Sequence, residues 1–205
     1  MTTQSREDSA RKQELLQRAY AYVLQHGLMT LSLRPLAQAI GSSPRVLLFL
    51  FGSKEGLVQA LLARARGAEL EFLNDIRPAG RPDDFADVVR RVWQWLVAKE
   101  HRAMLGLWLE TYAHSVVEPE GPYAQFALRT VEGWLGLLAN HQTAQHRRTR
   151  AGANERALAL AVLRGALMDL LASGDEDRTT ALVDAWLSGM QASGRGVSLR
   201  QDTLL

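Results

Sequence analysis

Apolar residues between Thr30 and Leu57 recur at helical spacing, and the pattern is interrupted once. Before the interruption, apolar positions three and four residues apart predict a short helix with one apolar face, formed by Leu33, Leu36, Ala37 and Ile40. The pattern stops at Gly41-Ser42-Ser43-Pro44 and resumes with Val46, Leu47 and Leu48. Two short helices joined by a glycine-containing turn predict a helix-turn-helix, the motif whose second helix lies in the major groove of DNA.

Residues that favour helix N-termini lie where this interpretation requires them. Ser32 precedes the first helix, and its hydroxyl is expected to accept a hydrogen bond from a free amide of the first turn. Pro35 falls within that turn, where a missing N–H costs little. Ser43 is a cap for the second helix with Pro44 at its first position, and Ser53 is placed to cap a longer third helix.

The charge distribution supports DNA as the ligand, although an ordinary pair of packed helices has the same spacing. Residues 1–70 contain nine basic and five acidic residues, whereas the remainder contains 15 basic and 17 acidic residues. The positive charge therefore belongs to the part of the chain that carries the helix-turn-helix, as attraction to phosphates requires. A solvated basic face without a partner is the alternative.

The run from Leu31 to Leu57 resembles the DNA-binding domain of TetR-family transcriptional regulators. The matching positions are Arg34, Leu36, Ala37, Gly41, Ser43, Leu47, Phe51 and the ending Ser53-Lys54-Glu55-x-Leu57. An apolar pattern upstream resembles that family's first helix, through Leu15, Leu16, Ala19, Tyr20, Val23 and Leu24. The resemblance covers residues 11–66. It implies a dimeric regulator, most often a repressor, that binds a DNA operator and is released by a small-molecule effector.

The chain departs from the family pattern in the second helix of the motif. Arg45 stands where members usually carry Gly, and Leu48 replaces a Tyr that touches phosphate. An aromatic residue or His, followed by Tyr or His, is common where Phe49 and Leu50 stand. We expect Arg45 to replace the lost backbone contact or to read a base, since a guanidinium can bind guanine bidentately. Leu48 and Phe49 either contact thymine methyl groups or pack inward. The candidate DNA-binding residues are Ser32, Arg34, Ser43, Pro44, Arg45, Val46, Leu48, Phe49 and Lys54. Arg34 and Arg45 are the candidates for base contacts, and Lys54 with the two serine hydroxyls for phosphate contacts.

The rest of the chain also follows helical spacing. A helix is predicted from Ser53 to about Leu73, followed by a Pro- and Gly-containing linker over Asn74–Pro82 and by further helices starting near Asp83, Arg102, Tyr123, Glu155 and Asp177. The polar stretch Gln142–Ala153 is predicted to be an exposed loop. The fold class is therefore all-α: an N-terminal tail and three-helix helix-turn-helix domain over residues 1–56, and a larger helical effector-binding and dimerisation domain over residues 57–205 (about nine helices).

The last two long helices carry small residues at four-residue spacing, which lets another helix approach closely. They either pack within one subunit or form a two-fold four-helix bundle with a second subunit, and we favour the second. A homodimer also suits a palindromic operator, because it presents two recognition helices to half-sites about 34–36 Å apart. The candidate interface residues are Leu158, Ala161, Val162, Gly165, Met168, Ala181, Leu182, Ala185, Trp186 and Gly189.

Four of the five tryptophans lie in the middle helices, together with other aromatic and a few polar residues. They form either a large aromatic core or the lining of a ligand cavity between helices. The resemblance implies an effector here, and the composition favours a bulky, apolar or aromatic molecule. The candidate pocket residues are Trp93, His101, Met104, Trp108, Thr111, Tyr112, Phe126, Thr130 and Trp134.

Other functional classes have less support. Glu110 and His114 are four residues apart, which is compatible with a metal-dependent helical-bundle enzyme, but the chain lacks the paired Glu-x-x-His motifs of a di-iron site. It also lacks cysteine and a Gly-rich phosphate loop. We therefore expect no catalytic residues, metal or other cofactor. No apolar run approaches the roughly 18 residues of a membrane span, so a cytoplasmic protein without a membrane partner is expected. A helical-bundle DNA- or partner-binding protein without an effector is the other alternative.

Overall fold

The computed structural model describes residues 3–75, 85–121 and 123–201, and all the regular structure in these ranges is helical. The helices are α1 (Thr3–His26), α2 (Leu33–Ala39), α3 (Pro44–Phe51), α4 (Lys54–Asp75), α5 (Phe85–Val97), α6 (Arg102–Val117), α7 (Phe126–Asn140), α8 (Ala144–Arg147), α9 (Arg150–Ser173) and α10 (Glu176–Gln201), with a 3-10 turn at Lys99–His101. The all-α prediction is confirmed. Residues 76–82 of the predicted linker lie outside the described residues.

The chain divides into two compact units. The first contains Met1–Asp75 and Ala103–Arg129, and the second contains Ile76–Arg102 and Thr130–Leu205. Helix α6 therefore belongs with the N-terminal helices, and the division falls within α7. The predicted boundary after residue 56 divides the chain once, whereas each compact unit contains two separate segments of the chain. The boundary stays a prediction.

The core of the first unit is built by the apolar faces that the helical spacing predicted. Buried side chains from its helices converge, among them Leu15, Val23, Leu36, Leu47, Leu57 and Leu61. Leu107 of α6 and Tyr123, in the turn before α7, join the same cluster. Burial of each such leucine stabilises the unit by roughly 1.5–3 kcal/mol relative to exposure. This core holds the two short helices α2 and α3 in place.

In the second unit, α9 and α10 pack against each other and α5 packs against both. The inward face of α9 includes Leu163 and Leu170, and that of α10 includes Val183 and Leu187. The indole N–H of Trp93, on the buried face of α5, donates to the hydroxyl of Thr180 at 3.0 Å. A buried tryptophan thus obtains the hydrogen-bond partner that its polar edge needs.

The stretch Gln142–Ala153 is exposed at nine of its twelve residues, as its polarity predicted, but much of it is helical rather than a loop. It contains α8 and the first turn of α9, each capped by a threonine hydroxyl: Thr143 accepts from the N–H of His146, and Thr149 from that of Gly152. Gln142 is buried, and its side-chain amide donates to the carbonyl of Gly152 at 3.1 Å. Polarity therefore predicted the exposure of most of these residues, but it did not predict the short helix or the burial of Gln142.

No single helix in the described part of the chain is long and apolar enough to cross a membrane. Two consecutive helical segments of the described residues, Pro44–Phe51 and Lys54–Ala65, reach that length and composition together, but they are bent by 70° relative to each other.

Candidate nucleic-acid interface

The turn between α2 and α3 gives the helix-turn-helix its shape. Gly41 has φ of +68°, a left-handed conformation that side chains other than glycine's rarely adopt. Next to it, the N–H of Ser42 donates to the carbonyl of Ala37 at 2.8 Å, which ends α2. The guanidinium of Arg18 on α1 donates to the carbonyl of Ile40 at 3.2 Å and ties the turn to the first helix.

Two of the three predicted serine caps are confirmed. The Ser43 hydroxyl accepts from the N–H of Val46 at 3.3 Å, and the Ser53 hydroxyl accepts from that of Gly56 at 3.0 Å. The prediction for Ser32 is wrong, because its side chain makes no capping hydrogen bond. The third helical position there is Pro35, which has no N–H to donate, so one of the two amides that a cap usually engages is missing.

Helix α3 presents one face to the core and another to solvent. Leu47 and Phe51 are buried, at 1% and 8% exposure, and anchor the helix to the first unit. The opposite face holds Arg45 together with Leu48, 42% exposed, and Phe49, 75% exposed. Leu48 and Phe49 therefore do not pack inward, which was one of the two alternatives that the sequence left open.

All nine candidate DNA-binding residues lie in the first unit, and none is buried. Seven are exposed and two, Ser43 and Pro44, are half-buried. The seven exposed residues are Ser32, Arg34, Arg45, Val46, Leu48, Phe49 and Lys54. The helix-turn-helix and the first residue of α4 therefore carry all of them where a ligand can reach, and their contact with DNA stays a prediction.

Some arginines of the first unit form ion pairs with a carboxylate of the same unit, whereas others do not. Arg11 and Arg18 share the carboxylate of Glu14, each at 2.7 Å. Within the described residues, neither Arg34 nor Arg45 forms an ion pair with a carboxylate. Their guanidinium groups are therefore available to phosphates or base edges, whereas Arg11 and Arg18 would first have to release Glu14.

Beside Lys54, the pKa of the Glu55 carboxylate is lowered. The main cause is a hydrogen bond from its own backbone N–H, and a second bond comes from the Ser53 side chain. A carboxylate in the first turn of a helix is also favoured by the helix dipole. Glu55 thus remains charged at neutral pH and stabilises the N-terminus of α4, whose first residue is Lys54.

Sequence analysis missed one contact that positions the motif. The carboxylate of Glu110 on α6 accepts the backbone N–H groups of Leu28 and Met29, at 3.0 and 2.9 Å, in the loop between α1 and α2. At the neighbouring Gly27, with φ of +79°, an added Cβ would lie 3.4 Å from this carboxylate. The sequence had offered Glu110 as a metal ligand with His114. Within the described residues no three His, Asp or Glu side chains are grouped to hold a metal ion.

The nine candidate effector residues are distributed over both units. The first unit contains Met104, Trp108, Thr111, Tyr112 and Phe126, and the second contains Trp93, His101, Thr130 and Trp134. Some of their polar groups already have partners within their own unit: the Thr111 hydroxyl donates to the carbonyl of Leu107 at 2.8 Å, and His101 Nδ1 lies 2.8 Å from the carbonyl of Trp95. Trp108 and Tyr112 are half-buried with ring centroids 5.2 Å apart. The pocket stays a prediction.

The ten candidate interface residues lie on the outward faces of α9 and α10. Eight are exposed, including Leu158, Met168 and Leu182, and two, Val162 and Trp186, are half-buried. An added Cβ at Gly165 or Gly189 would meet nothing within 4 Å. Neither glycine is therefore required for a close approach of another helix within one subunit.

Comparison with solved structures identifies proteins of the same fold. A TetR-family transcriptional regulator described as putative, from Rhodococcus sp., superposes with a TM-score of 0.70 at 18% identity, over 87% of this chain and 97% of that one. A transcriptional regulator from Rhodococcus sp. Rha1 gives 0.72 at 18% identity, over 89% and 96%. The multidrug binding protein EbrR, solved with imidazole, gives 0.62 at 22% identity, over 86% and 89%. No family model and no curated protein sequence matches the chain.

The likeness extends over most of the chain, well beyond residues 11–66 where the sequence pattern resembled TetR-family regulators. The predicted resemblance is thus confirmed at the level of the fold. At these identities the likeness shows the fold alone, so the expectation that the chain is not an enzyme stays a prediction.

Proposed function

We propose that this protein is a DNA-binding transcriptional regulator, acting as a repressor on a palindromic operator. The observation that carries the proposal is the exposed face of α3, where Arg45, Leu48 and Phe49 project from a helix that Leu47 and Phe51 anchor to the core. A rigidly held helix with a free outer face, in a region of net positive charge, meets the requirements for insertion into a major groove.

The proposed regulator acts as a homodimer. The outward faces of α9 and α10 carry exposed apolar side chains, Leu158 and Met168 on α9 and Leu182 on α10, among small residues. Large exposed apolar patches on monomeric proteins are uncommon and indicate interaction sites. Association of two copies through these faces would produce the two-fold symmetry that a palindromic operator requires.

The proposed effector is a small apolar or aromatic molecule that lowers the affinity for DNA. Support comes from the aromatic residues of α6, the half-buried pair Trp108 and Tyr112, and from the likeness to EbrR. An effector that weakens DNA binding must itself bind less tightly to the DNA-bound protein, and such coupling is typically worth about 1–3 kcal/mol.

The deciding experiment is binding to DNA from upstream of the protein's own coding region, and to a random pool enriched by selection, in a salt series. A regulator is expected to stay bound to a defined, two-fold symmetric site in the presence of excess random DNA. Random DNA offers the same phosphate contacts as the site, but it does not offer the same base contacts. Binding that random competitor removes as readily as the unlabelled site would contradict the proposal.

With a site in hand, apolar and aromatic compounds are added to the protein–DNA complex and release is measured. Trp108→Ala is expected to impair release while leaving operator affinity nearly unchanged. Loss of operator affinity in this variant would instead assign Trp108 a structural role, and absence of release by any compound class would favour a regulator without an effector.

A further inference from the structure

We propose that α3 recognises the 5-methyl groups of thymines in the operator, through Phe49 and Leu48, next to a guanine read by Arg45. The inference rests on the proposed function and names the feature of DNA that this recognition helix reads. Two of its three residues, Arg45 and Leu48, are departures from the family pattern, so the resemblance assigns them no role.

The composition of α3 limits what the helix can recognise. Its sequence, PRVLLFLF, contains one polar side chain, Arg45. The three other exposed side chains of the helix are Val46, at 38% exposure, Leu48 and Phe49. None of the three has a donor or an acceptor, so none can gain from the hydrogen-bonding groups that line the major groove.

Thymine is the base whose major-groove edge carries an apolar group. Guanine, adenine and cytosine present nitrogen and oxygen donors and acceptors there, whereas thymine adds the C5 methyl, which alanine, threonine methyl or phenylalanine side chains contact. An apolar helix face inserted into the groove therefore gains free energy where these methyl groups lie. At other bases it would desolvate polar edges without replacing their hydrogen bonds.

The charge around the face favours DNA over other occupants. Residues 9–65 contain seven basic and two acidic residues, a net charge of +5. A second copy of the same face would bring two such positive fields together, which is unfavourable. A DNA duplex carries dense negative charge, and phosphate contacts at its edges would hold the apolar face against the bases.

The spacing of the side chains makes the proposal specific. An α-helix rises 1.5 Å per residue, so Arg45 and Phe49 are separated by about 6 Å along the axis of α3. Stacked bases on one strand are about 3.4 Å apart, so a helix parallel to the DNA axis would place the two side chains roughly two base pairs apart, and any inclined helix would place them closer. We therefore expect each half-site to contain a guanine within about two base pairs of a thymine.

The test uses the selected operator and the full chain. Each thymine in a half-site is replaced in turn by uracil, which removes the methyl group and leaves every hydrogen-bonding atom of the base in place. At one or two positions the affinity is expected to fall about fourfold, equivalent to about 0.8 kcal/mol for one buried methyl. Phe49→Ala or Leu48→Ala should weaken binding to thymine DNA, and the variant that loses the contact should no longer distinguish thymine from uracil at that position.

The matched control is Leu128→Ala on α7, which truncates another exposed apolar residue (57% exposure) of the same unit. It should bind both DNAs as the unchanged protein does. Because Phe49 and Leu48 bind no phosphate, their variants should also keep the salt dependence of binding.

Several results would overturn the inference while leaving the proposed function intact. One is equal affinity for thymine and uracil DNA at every position. Another is that Phe49→Ala and Leu48→Ala each lower the affinity for thymine DNA and for uracil DNA by the same factor. A lower molecular mass of either variant in solution would assign the face to contacts between copies of the chain. If the unchanged protein selects no sequence at all, the proposed function fails and the inference fails with it.

Discussion

Glu110 Oε1 accepts a hydrogen bond from the backbone N–H of Met29 at 2.9 Å, across 81 positions of sequence. The second oxygen of the same carboxylate accepts the N–H of Leu28 at 3.0 Å. These two amides lie between α1 and α2, at the entry to the helix-turn-helix. One side chain of α6 therefore satisfies two neighbouring donors in a loop that has no helix or strand of its own, and fixes how that loop leaves α1.

Glu110→Ala is expected to lower the free energy of unfolding by about 1.5–3 kcal/mol, the usual range for hydrogen bonds to a charged group. Glu110→Gln should lose less, because the amide oxygen still accepts one of the two N–H groups. Urea unfolding of both variants provides the measurement. Glu132→Ala, which removes an exposed glutamate of α7, is the control and should be nearly neutral. Equal midpoints for Glu110→Ala and the unchanged protein would show that water replaces the carboxylate at no cost.

Arg45→Ala is expected to relax specificity at one base pair of each half-site, at a cost of about 1–3 kcal/mol with the preferred base. The reason is that the exposed guanidinium has no carboxylate partner within the described residues and can bind guanine through two donors. Affinities for the four single-base variants of the operator position give the answer. Arg129→Ala, which removes an exposed arginine from α7, should change none of them. A uniform loss on all four DNAs would instead make Arg45 a phosphate contact.

Lys54→Ala is expected to weaken binding by a similar factor on every sequence and to flatten the dependence of log affinity on log salt by about one unit. Lys54 is exposed in the first turn of α4, beside the motif, and an ammonium group binds phosphate as a point charge. Lys99→Ala, which removes an exposed lysine from the second unit, is the control and should leave the affinity and its salt dependence unchanged. An unchanged slope for Lys54→Ala would remove this residue from the interface.

Helical periodicity predicted the helices well, because the buried face of a helix repeats in its own sequence. The resemblance to TetR-family regulators included Leu47 and Phe51 among its matching positions, and both prove to be the anchors of α3. Caps follow from residues only two or three positions apart, so Ser43 and Ser53 were predicted correctly. Ser32 failed because the prediction treated Pro35 as harmless, although its missing N–H is one that a cap uses.

Contacts between distant residues were not predictable in this way. The bond from Trp93 to Thr180 spans 87 positions, and that from Met29 to Glu110 spans 81. Periodicity indicates that a helix has a buried face but not which element covers it. The stretch around Gln142 was assigned to a loop for a different reason: it has no apolar periodicity, and its short helix α8 is instead supported by local hydrogen bonds.

Leu182→Glu is expected to convert a dimer into monomers, because it places a charge on the outward apolar face of α10. The side chain is exposed in the subunit, so the fold of each monomer should survive, with unchanged helical content. Molecular mass in solution over a concentration series is the measurement, and affinity for the full operator should fall towards that for one half-site. Ser188→Glu, at an exposed polar position on the same helix, is the control. A mass equal to that of the unchanged protein would place the dimer interface elsewhere.

The contact between α9 and α10 is expected to weaken in acid through Asp169. The guanidinium of Arg178 donates to both oxygens of this carboxylate at 2.7 Å, and these hydrogen bonds lower its pKa below the ordinary value of 3.8. A carboxyl group whose pKa is lower in the folded protein than in the unfolded chain stabilises the folded state at pH values above the pKa of the unfolded chain. This stabilisation is lost as the pH falls through the pKa of the folded protein. Asp169→Asn should therefore differ most from the unchanged protein near neutral pH, and the difference in urea midpoint should vanish well below pH 3.8.

The Arg178→Ala background supplies the control for this pH dependence. Without the guanidinium, Asp169→Asn should make little difference at any pH. Because the pair is exposed, added salt should also reduce the effect in the protein that keeps Arg178. A difference between the unchanged protein and the Asp169→Asn variant that is the same at neutral and acid pH would mean that the shape of the side chain matters rather than its charge, and that Arg178 does not hold the carboxylate in its ionised form.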